Sequence, residues 1–417
     1  MSSSPNAPPL MSFTDLMALE PMKVGPSGQA TDQNRFRSLA AAWAPGVRNT
    51  RSYGGHTMAQ AVYAASKTVG KGYTVHNVHG NFSLAGLIDR PFIYTVQRIR
   101  DGDSFCTRLV TVRQSKEKGW GDAASRVDDA SCSGICFTCI CSFVNRHDDA
   151  DEADVDPDYA HRQEESNLRE KFRSVLGDKK PIDHRMAPGV DVPLYIALED
   201  EKGLTDPCPG VSVRRVDMAA FNAPLASSPT YTRDYRQLQY YTTIGALPSI
   251  HEDPNLHFCA HIYAIDRNSL FAIAYALDIQ DRLAKVASIS ISVIFHSAPR
   301  HLAFERPSSE GRSADDQQRW FCQEAGTDRA GSGRALHVSK IWDERGGDGA
   351  GARHVASTYQ EGLLYVPRKS SSSPSISDAG GEHKAGGGLK GGSQEMPFLT
   401  KMSEEERLKL KRGNGKL

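Results

Sequence analysis

The sequence predicts an α+β protein made of two similar halves, each with one helix and a run of antiparallel strands. Three observations support this fold class. A helix of small residues after residue 54 is followed by alternating apolar and polar runs with turn signals between them. The same order of elements returns after an acidic stretch in the middle of the chain. The length of 417 residues suits two domains of ordinary size.

The second half is organised around residues 259–277, CAHIYAIDRNSLFAIAYAL. The first part of this segment alternates, which predicts a buried strand over 259–265. From Asp266 onward the residues are apolar almost all round, which predicts a buried helix. Asp266 stands where the N-cap of that helix belongs, so its carboxylate either only caps the helix or also takes part in chemistry.

Composition narrows the class of protein. Lysine plus arginine and aspartate plus glutamate number 50 each, and this balance argues against nucleic acid as the main partner. No run of eighteen apolar residues is present, so we expect no membrane-spanning helix. The opening sequence, MSSSPNAPPLMSF, lacks the charged start and apolar core of a secretion signal. Eight cysteines without a regular framework are typical of a reducing compartment.

Four cysteines cluster between residues 132 and 141. A structural zinc site needs four ligands, usually from two paired knuckles, and no second pair follows at a suitable distance. The segment GICFTCICSFV alternates instead, which places Ile135, Phe137, Cys139, Cys141 and Phe143 on one face of a strand. We therefore interpret the cysteines as buried free thiols in preference to metal ligands, and we predict no metal site.

The first half begins with about 50 polar residues that contain one possible strand, over 34–42. Gly54 and Gly55 predict a tight turn before a helix over 56–69. This turn is not a phosphate-binding loop, because it contains neither GxGxxG nor GK[ST]. A loop is predicted at 116–131. Four strands are predicted in the segments TVHNVHGNFSLAG, PFIYTVQRIRDGDSF, FCTRLVTVRQS and GICFTCICSFV.

The second half follows an acidic, irregular stretch that predicts a solvated linker with one helical piece near 164–176. Further strands are predicted at 211–221, 235–244, 286–296, 320–330, 335–344 and 354–367. The Ser- and Gly-rich residues 369–396 predict disorder. We therefore expect an N-terminal segment, a first domain, an acidic linker, a second domain and a tail, over residues 1–33, 34–145, 146–210, 211–368 and 369–417.

Six motifs in one order resemble a known family: RSYGGHTMAQAVYAA, VHNVHGNFSLAG, RDGDSF, YAIDRNSL, VASISISVIFH and VASTYQEGLL. They are similar to the type II acyl-CoA thioesterases, which include the bacterial thioesterase II and the peroxisomal acyl-CoA thioesterases of eukaryotes. The resemblance covers residues 36–144 and 211–367. It implies a double hotdog fold, in which each of two domains is a long helix wrapped by a curved antiparallel sheet.

The resemblance also implies a catalytic set, whose matching positions here are Asp266, Ser288 and Gln360. Thioester hydrolysis needs a water held at the carbonyl carbon and a group that accepts its proton. Asp266 would accept the proton, while Ser288 and Gln360 would hold the water and fix the carboxylate. Backbone amides at a helix N-terminus could meet the oxyanion. No GxSxG elbow is present, so no covalent acyl-enzyme is predicted.

Four further residues are candidates for substrate binding by the same resemblance. The turn Gly54-Gly55 would lie near the catalytic set, and His56 and His79 are candidates for the lining of the site. Each of these histidines, taken alone, is more often structural. At position 56 the family favours Gln, so the histidine there is a departure from the pattern.

Three functions compete as interpretations of these residues, and the third lacks a residue that it requires. The first is an acyl-CoA thioesterase that acts on medium- to long-chain or specialised acyl groups. The second is a non-catalytic acyl-CoA-binding protein, because Ser290-Ile291 stands where the family has Asp-His. The third is an enoyl-CoA hydratase or dehydratase, which needs a His soon after the Asp; none lies between Asp266 and Asp281.

Partners and location follow from the same resemblance. We predict acyl-CoA as the substrate, no cofactor, and a place in fatty acid metabolism. The family implies assembly into a homo-oligomer. The chain ends in Gly-Lys-Leu, which shares its last two residues with the peroxisomal Ser-Lys-Leu signal, so we expect a peroxisomal or cytoplasmic protein.

Overall fold

A computed structural model describes residues 10–24, 30–46, 49–120, 132–145, 168–202, 208–304, 319–344, 352–367 and 394–395. Its helices are α1 (Phe13–Leu16), α2 (Gly54–Ser66), α3 (Leu168–Lys171), α4 (Arg173–Leu176), α5 (Pro193–Lys202), α6 (Ala219–Asn222), α7 (Tyr231–Asp234), α8 (Pro254–Ile265), α9 (Ser269–Ala276) and α10 (Pro299–Leu302). Its strands are β1 (Leu19–Val24), β2 (Ala30–Ser38), β3 (Tyr73–Phe82), β4 (Phe92–Asp101), β5 (Phe105–Gln114), β6 (Phe137–Asn145), β7 (Arg185–Met186), β8 (Val211–Arg215), β9 (Gln237–Thr243), β10 (Lys285–Phe295), β11 (Phe321–Gly331), β12 (Arg334–Asp343), β13 (Arg353–Tyr365) and β14 (Gln394–Glu395).

All the described strands join one antiparallel sheet in the order β1-β2-β4-β5-β6-β3-β10-β13-β12-β11-β9-β8-β7, with β14 beside β10. The two halves meet where β3 pairs with β10. Read outward from that seam, β3, β6, β5, β4 and β2 correspond to β10, β13, β12, β11 and β9. The sheet is therefore built from two copies of one strand order, related by an approximate two-fold axis through the seam.

The long helices lie on the inner face of this sheet. Helix α2 packs against α8 and against strands β3 to β6, while α9 packs against β10 to β13. Side chains of α2, α8 and the inner faces of both sheet halves form one continuous apolar core. Each half is thus a helix wrapped by an antiparallel sheet, and the predicted double hotdog is confirmed.

One part of the central prediction is wrong, because residues 259–265 form the end of α8 and not a strand. Pro254 occupies the first turn, and the side chain of Asp253 accepts a hydrogen bond from the Leu256 amide (3.2 Å) as N-cap. The segment is buried on all sides, so its alternation carried no information on the face that it presents.

Asp266 consequently ends a helix instead of beginning one. It is the C-cap of α8, and α9 starts three residues later, after Asn268 has adopted a left-handed conformation with φ 57°. The predicted role of Asp266 as an N-cap of its own helix is therefore wrong. The break between the two helices leaves the Asp266 side chain free to project sideways.

Smaller differences concern the ends of elements. The predicted strand over 34–42 is observed as β2, and the strand predicted over 211–221 stops at Arg215, before α6 begins. Helix α1 and strand β1 were not predicted. The other predicted strands are present with end shifts of a few residues.

The region predicted as an acidic linker is structured where it is described. Helices α3 and α4 agree with the predicted helical piece, and Leu168, Phe172 and Leu176 are buried against the outer face of β9, β11 and β12. Side chains of Val190, Val192 and Tyr195 pack against α9. This region therefore contacts the second half both on the outer face of the sheet and at α9. The predicted domain boundaries themselves stay a prediction.

The cysteine strand is confirmed as a sheet element. In β6, Phe137, Cys139, Cys141 and Phe143 are buried, while Ile140 between them is exposed. The eight cysteines are free and buried. Within the described ranges, no group of three or more His, Cys, Asp or Glu residues is arranged to hold a metal ion.

Some predictions fall outside the described residues: most of the loop at 116–131, nearly all of the tail, and the final Gly-Lys-Leu. Among the helices that are described, none combines the length and the apolar character that a membrane crossing requires.

Candidate active site

The candidate site is built around the break between α8 and α9, where Asp266 projects toward the other half of the molecule. Its Oδ2 accepts a hydrogen bond from the backbone amide of Gly55 (2.7 Å). The first turn of α2 has no cap from its own N-cap residue, Tyr53. A carboxylate at this position satisfies a free amide and meets the positive end of the helix dipole. Asp266 therefore caps the helix of the first half, not its own.

This contact requires the two glycines of the predicted turn. A Cβ at Gly54 would lie 2.9 Å from Asp266 Oδ2 and 3.2 Å from the Phe82 ring. A Cβ at Gly55 would lie 2.6 Å from the Tyr263 carbonyl oxygen and 2.7 Å from the Tyr53 ring. Glycine is needed here for close approach, since the end of α8 and the start of α2 nearly touch.

Ser288 and Gln360 meet the other oxygen of the Asp266 carboxylate. Gln360 Nε2 donates to Asp266 Oδ1 (2.7 Å) and to Ser288 Oγ (2.8 Å), and Ser288 Oγ donates to Asp266 Oδ1 (3.4 Å). Gln360 Oε1 accepts a hydrogen bond from Ser269 Oγ (2.6 Å), which fixes the orientation of the amide. The three predicted catalytic residues are thus within hydrogen-bonding distance of one another, although they are far apart in sequence.

A bulge in β10 aims Ser288 at this cluster. The register with β13 shifts between Ser288 and Ser290, which leaves Ile289 as the extra residue. Before the bulge, Val286 and Ser288 face inward; after it, the inward positions are Ile291 and every second residue that follows. The alternating serines of the sequence therefore do not share one face, and Ser288 is the one that reaches the carboxylate.

The electrostatics of Asp266 reflect two opposing effects. Its side chain is partly exposed to a cavity but otherwise surrounded by protein. The loss of hydration raises the pKa of the carboxyl to about 6, against the hydrogen bonds from Gln360, the Gly55 amide and Ser288, which favour the charged form. The nearby Arg267 guanidinium also favours the charged form. A pKa just below neutrality suits a general base.

Arg267 is a site residue that sequence reasoning missed. It is buried, and its Nη1 and Nη2 donate to the carbonyls of Gly189 (2.8 Å) and Pro188 (2.6 Å). Its guanidinium lies 4.5 Å from the centroid of the Trp43 ring. The arginine thus holds part of the predicted linker against the site, and the acidic character of that region gave no sign of this contact.

A cavity of about 510 Å³ opens beside the carboxylate of Asp266. Both halves and the segment 189–190 contribute to its walls. Three arginines, Arg51, Arg267 and Arg334, are among the residues that line it. The apolar part of the wall includes Phe82, Leu84, Leu270, Phe271, Val286 and Leu363. A cavity with an apolar wall and few polar groups is the usual form of a small-molecule site.

The two predicted histidines lie away from this cavity. His56 is buried in α2 and contacts Gln60 (3.2 Å), and burial lowers its pKa to about 4, so the ring is neutral. His79 lies on the outer face of β3, because Val78 before it points into the core, and it contacts Ser292 (3.0 Å). Neither histidine lines the cavity, so the expectation that they do is not supported. Gly54 does line the cavity, and the Gly55 amide binds the Asp266 carboxylate.

Comparison with known proteins points to one family. Residues 41–144 match the family model described as the acyl-CoA thioesterase N-terminal domain. Acyl-coenzyme A thioesterase 8 of Mus musculus is 36% identical over 101 residues, which are 24% of this chain and 28% of that protein. The match therefore spans less than a third of the relative's length. The resemblance to acyl-CoA thioesterases is confirmed on this match.

A solved structure at a TM-score of 0.50 has the same fold. A conserved protein of unknown function with a hot dog fold from Alicyclobacillus acidocaldarius is 14% identical, with a TM-score of 0.50 over 85% of this chain and 98% of that one. The acyl-CoA thioesterase II TesB2 from Mycobacterium marinum is 22% identical, with a TM-score of 0.49 over 87% of this chain and 99% of that one. The similarity to the Alicyclobacillus acidocaldarius protein indicates that this chain has a hotdog fold.

Proposed function

We propose that this chain, whose residues 41–144 match the acyl-CoA thioesterase N-terminal domain, hydrolyses acyl-CoA to a free acid and CoA. The observation that carries the proposal is the contact of Asp266 with Ser288 and Gln360 at the wall of the cavity. The family match supports the substrate class, and the cluster supports a reaction that needs a general base.

In the proposed reaction, Asp266 is the base. A water beside its carboxylate gives up a proton to Asp266 while the oxygen attacks the thioester carbonyl carbon. The tetrahedral intermediate then collapses, the C–S bond breaks, and the CoA thiolate takes up the proton. Ser288 and Gln360 keep the carboxylate and the water in place. A positioned general base contributes about 10²–10⁴-fold to such a rate.

The Gly55 amide orients the proposed base. Because it donates to Asp266 Oδ2, it is engaged in orienting the base and is not directed at a substrate oxygen. The expectation that amides at a helix N-terminus meet the oxyanion therefore does not extend to the Gly55 amide in this proposal. The helix N-terminus acts through the carboxylate that it binds.

The apolar lining of the cavity favours a substrate whose acyl group has a medium to long chain. Its apolar side chains would bury methylene groups, each worth about 0.8 kcal/mol. Arg51 and Arg334 at the wall would attract the phosphates of CoA, since guanidinium groups bind phosphate well.

Release of free CoA, followed with a thiol-reactive dye, tests the proposal on acyl-CoAs from two to eighteen carbons. We expect turnover that increases with chain length until the cavity is filled. Turnover of none of these thioesters by the folded protein would contradict the proposal.

The two alternatives give different results in the same experiment. A non-catalytic protein, motivated by Ser290-Ile291, would bind acyl-CoA tightly and release no CoA. A hydratase would add water to crotonyl-CoA, but α9 carries Phe271 where a histidine would be needed, and it contains no histidine at all.

We also propose a homo-oligomer. An outer row of side chains crosses adjacent strands on the face away from the helices: Leu109, Ile140, His79, Ser292, Tyr359 and Val338. Ile140 and Tyr359 are 50% and 46% exposed, which suits a contact with a second copy. A peroxisomal or cytoplasmic location stays a prediction, which a fluorescent fusion with and without Leu417 tests.

A further inference from the structure

The end of α8 is held by side chains on both sides of Asp266. A helix end leaves some carbonyls without partners from its own turns, and side chains meet several of them here. Tyr53 Oη donates to the carbonyl of Tyr263 (2.6 Å). Gln323 Nε2 donates to the carbonyl of Ile265 (3.0 Å), and Gln239 Nε2 donates to that of Arg267 (3.1 Å). The residues immediately before and after Asp266 are thus each fixed by a buried glutamine.

The two glutamines belong to one buried chain of hydrogen bonds. Gln239 Nε2 also donates to Gln323 Oε1 (2.5 Å), and Gln323 Nε2 also donates to Ser339 Oγ (2.9 Å). Ser339 in turn contacts the hydroxyl of Thr358. The exposed fractions of Gln239, Gln323, Ser339 and Thr358 lie between 1% and 6%. Polar groups this deeply buried stabilise a fold only when their hydrogen bonds are made, so the loss of one side chain leaves its buried partners unsatisfied.

This chain closes a ring that includes the candidate base. Thr358 lies on β13, two residues before Gln360 and on the same inner face. From there the ring runs from Gln360 to the Asp266 carboxylate, through the backbone to the Ile265 carbonyl, and back to Gln323. The helix break and the strand that carries Gln360 are therefore linked twice, once through the carboxylate and once through Gln323.

We propose that Gln323 is a positioning residue, which holds the α8–α9 break against β11 to β13 so that Asp266 keeps its contact with Gln360. Gln323 has no place in the cavity wall, so it acts through these two residues. Its amide is suited to this task because one group donates to both the helix and the sheet while accepting from Gln239. The inference rests on the proposed function for its kinetic test, but not for its spectroscopic one.

The test is Gln323→Met, which keeps the length of the side chain and removes the amide. Gln237→Met is the matched control: Gln237 is buried on β9, two residues from Gln239, and its amide binds the carbonyls of Val216 and Leu238 instead of the helix break. We expect kcat to fall at least tenfold in Gln323→Met with KM within about threefold of wild type, and the control to keep its kcat.

If Gln323 only stabilised the fold, Gln323→Met would lower the melting temperature as the control does and would leave the pKa of Asp266 unchanged. The decisive measurement is therefore the pH profile of kcat. The hydrogen bond from Gln360 favours the charged form of Asp266. Loss of the ring weakens this hydrogen bond and so raises the pKa of Asp266. The acid limb of kcat should therefore move to higher pH in Gln323→Met and stay in place in the control. An unmoved acid limb would overturn the proposal.

A double variant supplies a second criterion. If Gln323 acts through Gln360, then Gln323→Met should cost little more kcat in a Gln360→Met background, because the contact that it protects is already lost. Fully multiplicative losses would overturn the proposal.

The spectroscopic test does not depend on turnover. In protein labelled with ¹³C at aspartate carboxyls, the Asp266 resonance is assigned from Asp266→Asn and titrated. Its pKa should be higher in Gln323→Met than in wild type and the control. This result would support the positioning role even if no acyl-CoA were hydrolysed, in which case only the proposed function would fail; equal pKa values would overturn the positioning role.

Discussion

At the level of single residues, two opposing effects set the pKa of the Asp266 carboxyl. Partial burial makes Asp266 hard to ionise, while three hydrogen bonds keep its charged form accessible near neutral pH. A more exposed carboxylate would be a weaker base, and a more deeply buried one would stay protonated. The resemblance to the acyl-CoA thioesterases implied the three residues, but the direction in which Asp266 points could not be read from the sequence.

The pH dependence of kcat/KM follows from the pKa of Asp266. The base must be unprotonated, so the rate should be constant well above pH 6 and fall about tenfold for each pH unit below it. Initial rates between pH 4.5 and 8.5 in buffers of constant ionic strength measure this limb. A rate that rises as the pH falls below 6 would contradict a base with this pKa.

Ser288→Ala should lower kcat and move the acid limb to higher pH. The hydroxyl donates to Asp266 and favours its charged form, so its loss makes the carboxyl less acidic. We expect a loss of kcat of about tenfold to a hundredfold. Ser292→Ala is the control on the same strand, because its hydroxyl contacts His79 on the outer face. Equal losses in both variants would argue against a specific role for Ser288.

At the scale of the element, two places where helices end create the site. The start of α2 offers a free amide, and the break after α8 offers the carboxylate that binds it. The small-residue helix and the glycine turn were predicted, since Gly-Gly before a helical pattern is a clear local signal. The break was not, because both helices are buried on nearly every side and a period of two could not be told from one of 3.6.

The strands show the same limit of sequence reasoning. Alternation predicted β10 and β13 well, but a bulge adds one residue and exchanges the faces beyond it. His79 was chosen for its chemistry, yet the register of β3 places it outside the sheet. Which face a polar residue takes depends on pairing partners that are remote in sequence.

Gly54→Ala should impair catalysis more than folding. The new methyl group would meet the end of the Asp266 side chain at 2.9 Å and displace it, while alanine suits the first turn of a helix. We expect kcat to fall about tenfold or more and the melting temperature to change by only a few degrees. Gly70→Ala is the control, since a Cβ there lies 3.7 Å from the Tyr73 ring. Unchanged kcat in Gly54→Ala would show that the close approach is not required.

At the scale of the whole molecule, the duplicated sheet brings one site together from both halves. The order of strands repeats about the seam between β3 and β10, yet Asp266, Ser288 and Gln360 all come from the second half, and the first half supplies the helix N-terminus that binds Asp266. The repeat was visible in the sequence as a recurring order of elements. The part played by residues 188–190 was not, because the buried arginine that holds them, Arg267, is remote from them in sequence.

The outer row predicts self-association. Ile140→Asp together with Tyr359→Asp should shift the protein from an oligomer toward a monomer, because two charges would have to be buried at the contact. Ile99→Asp is the control, since Ile99 is 53% exposed on β4 and lies off the row. Light scattering after size-exclusion chromatography measures the mass. A monomeric wild type, or an unchanged mass in the double variant, would contradict the assignment of this face.

The rate of CoA release by Asp266→Asn tests most directly whether Asp266 is the general base. Asparagine keeps the size of the side chain and cannot accept the proton, so kcat should fall about 10²–10⁴-fold while the variant still binds acyl-CoA and melts cooperatively. A folded Asp266→Asn protein that releases CoA at the rate of the wild type would contradict the account.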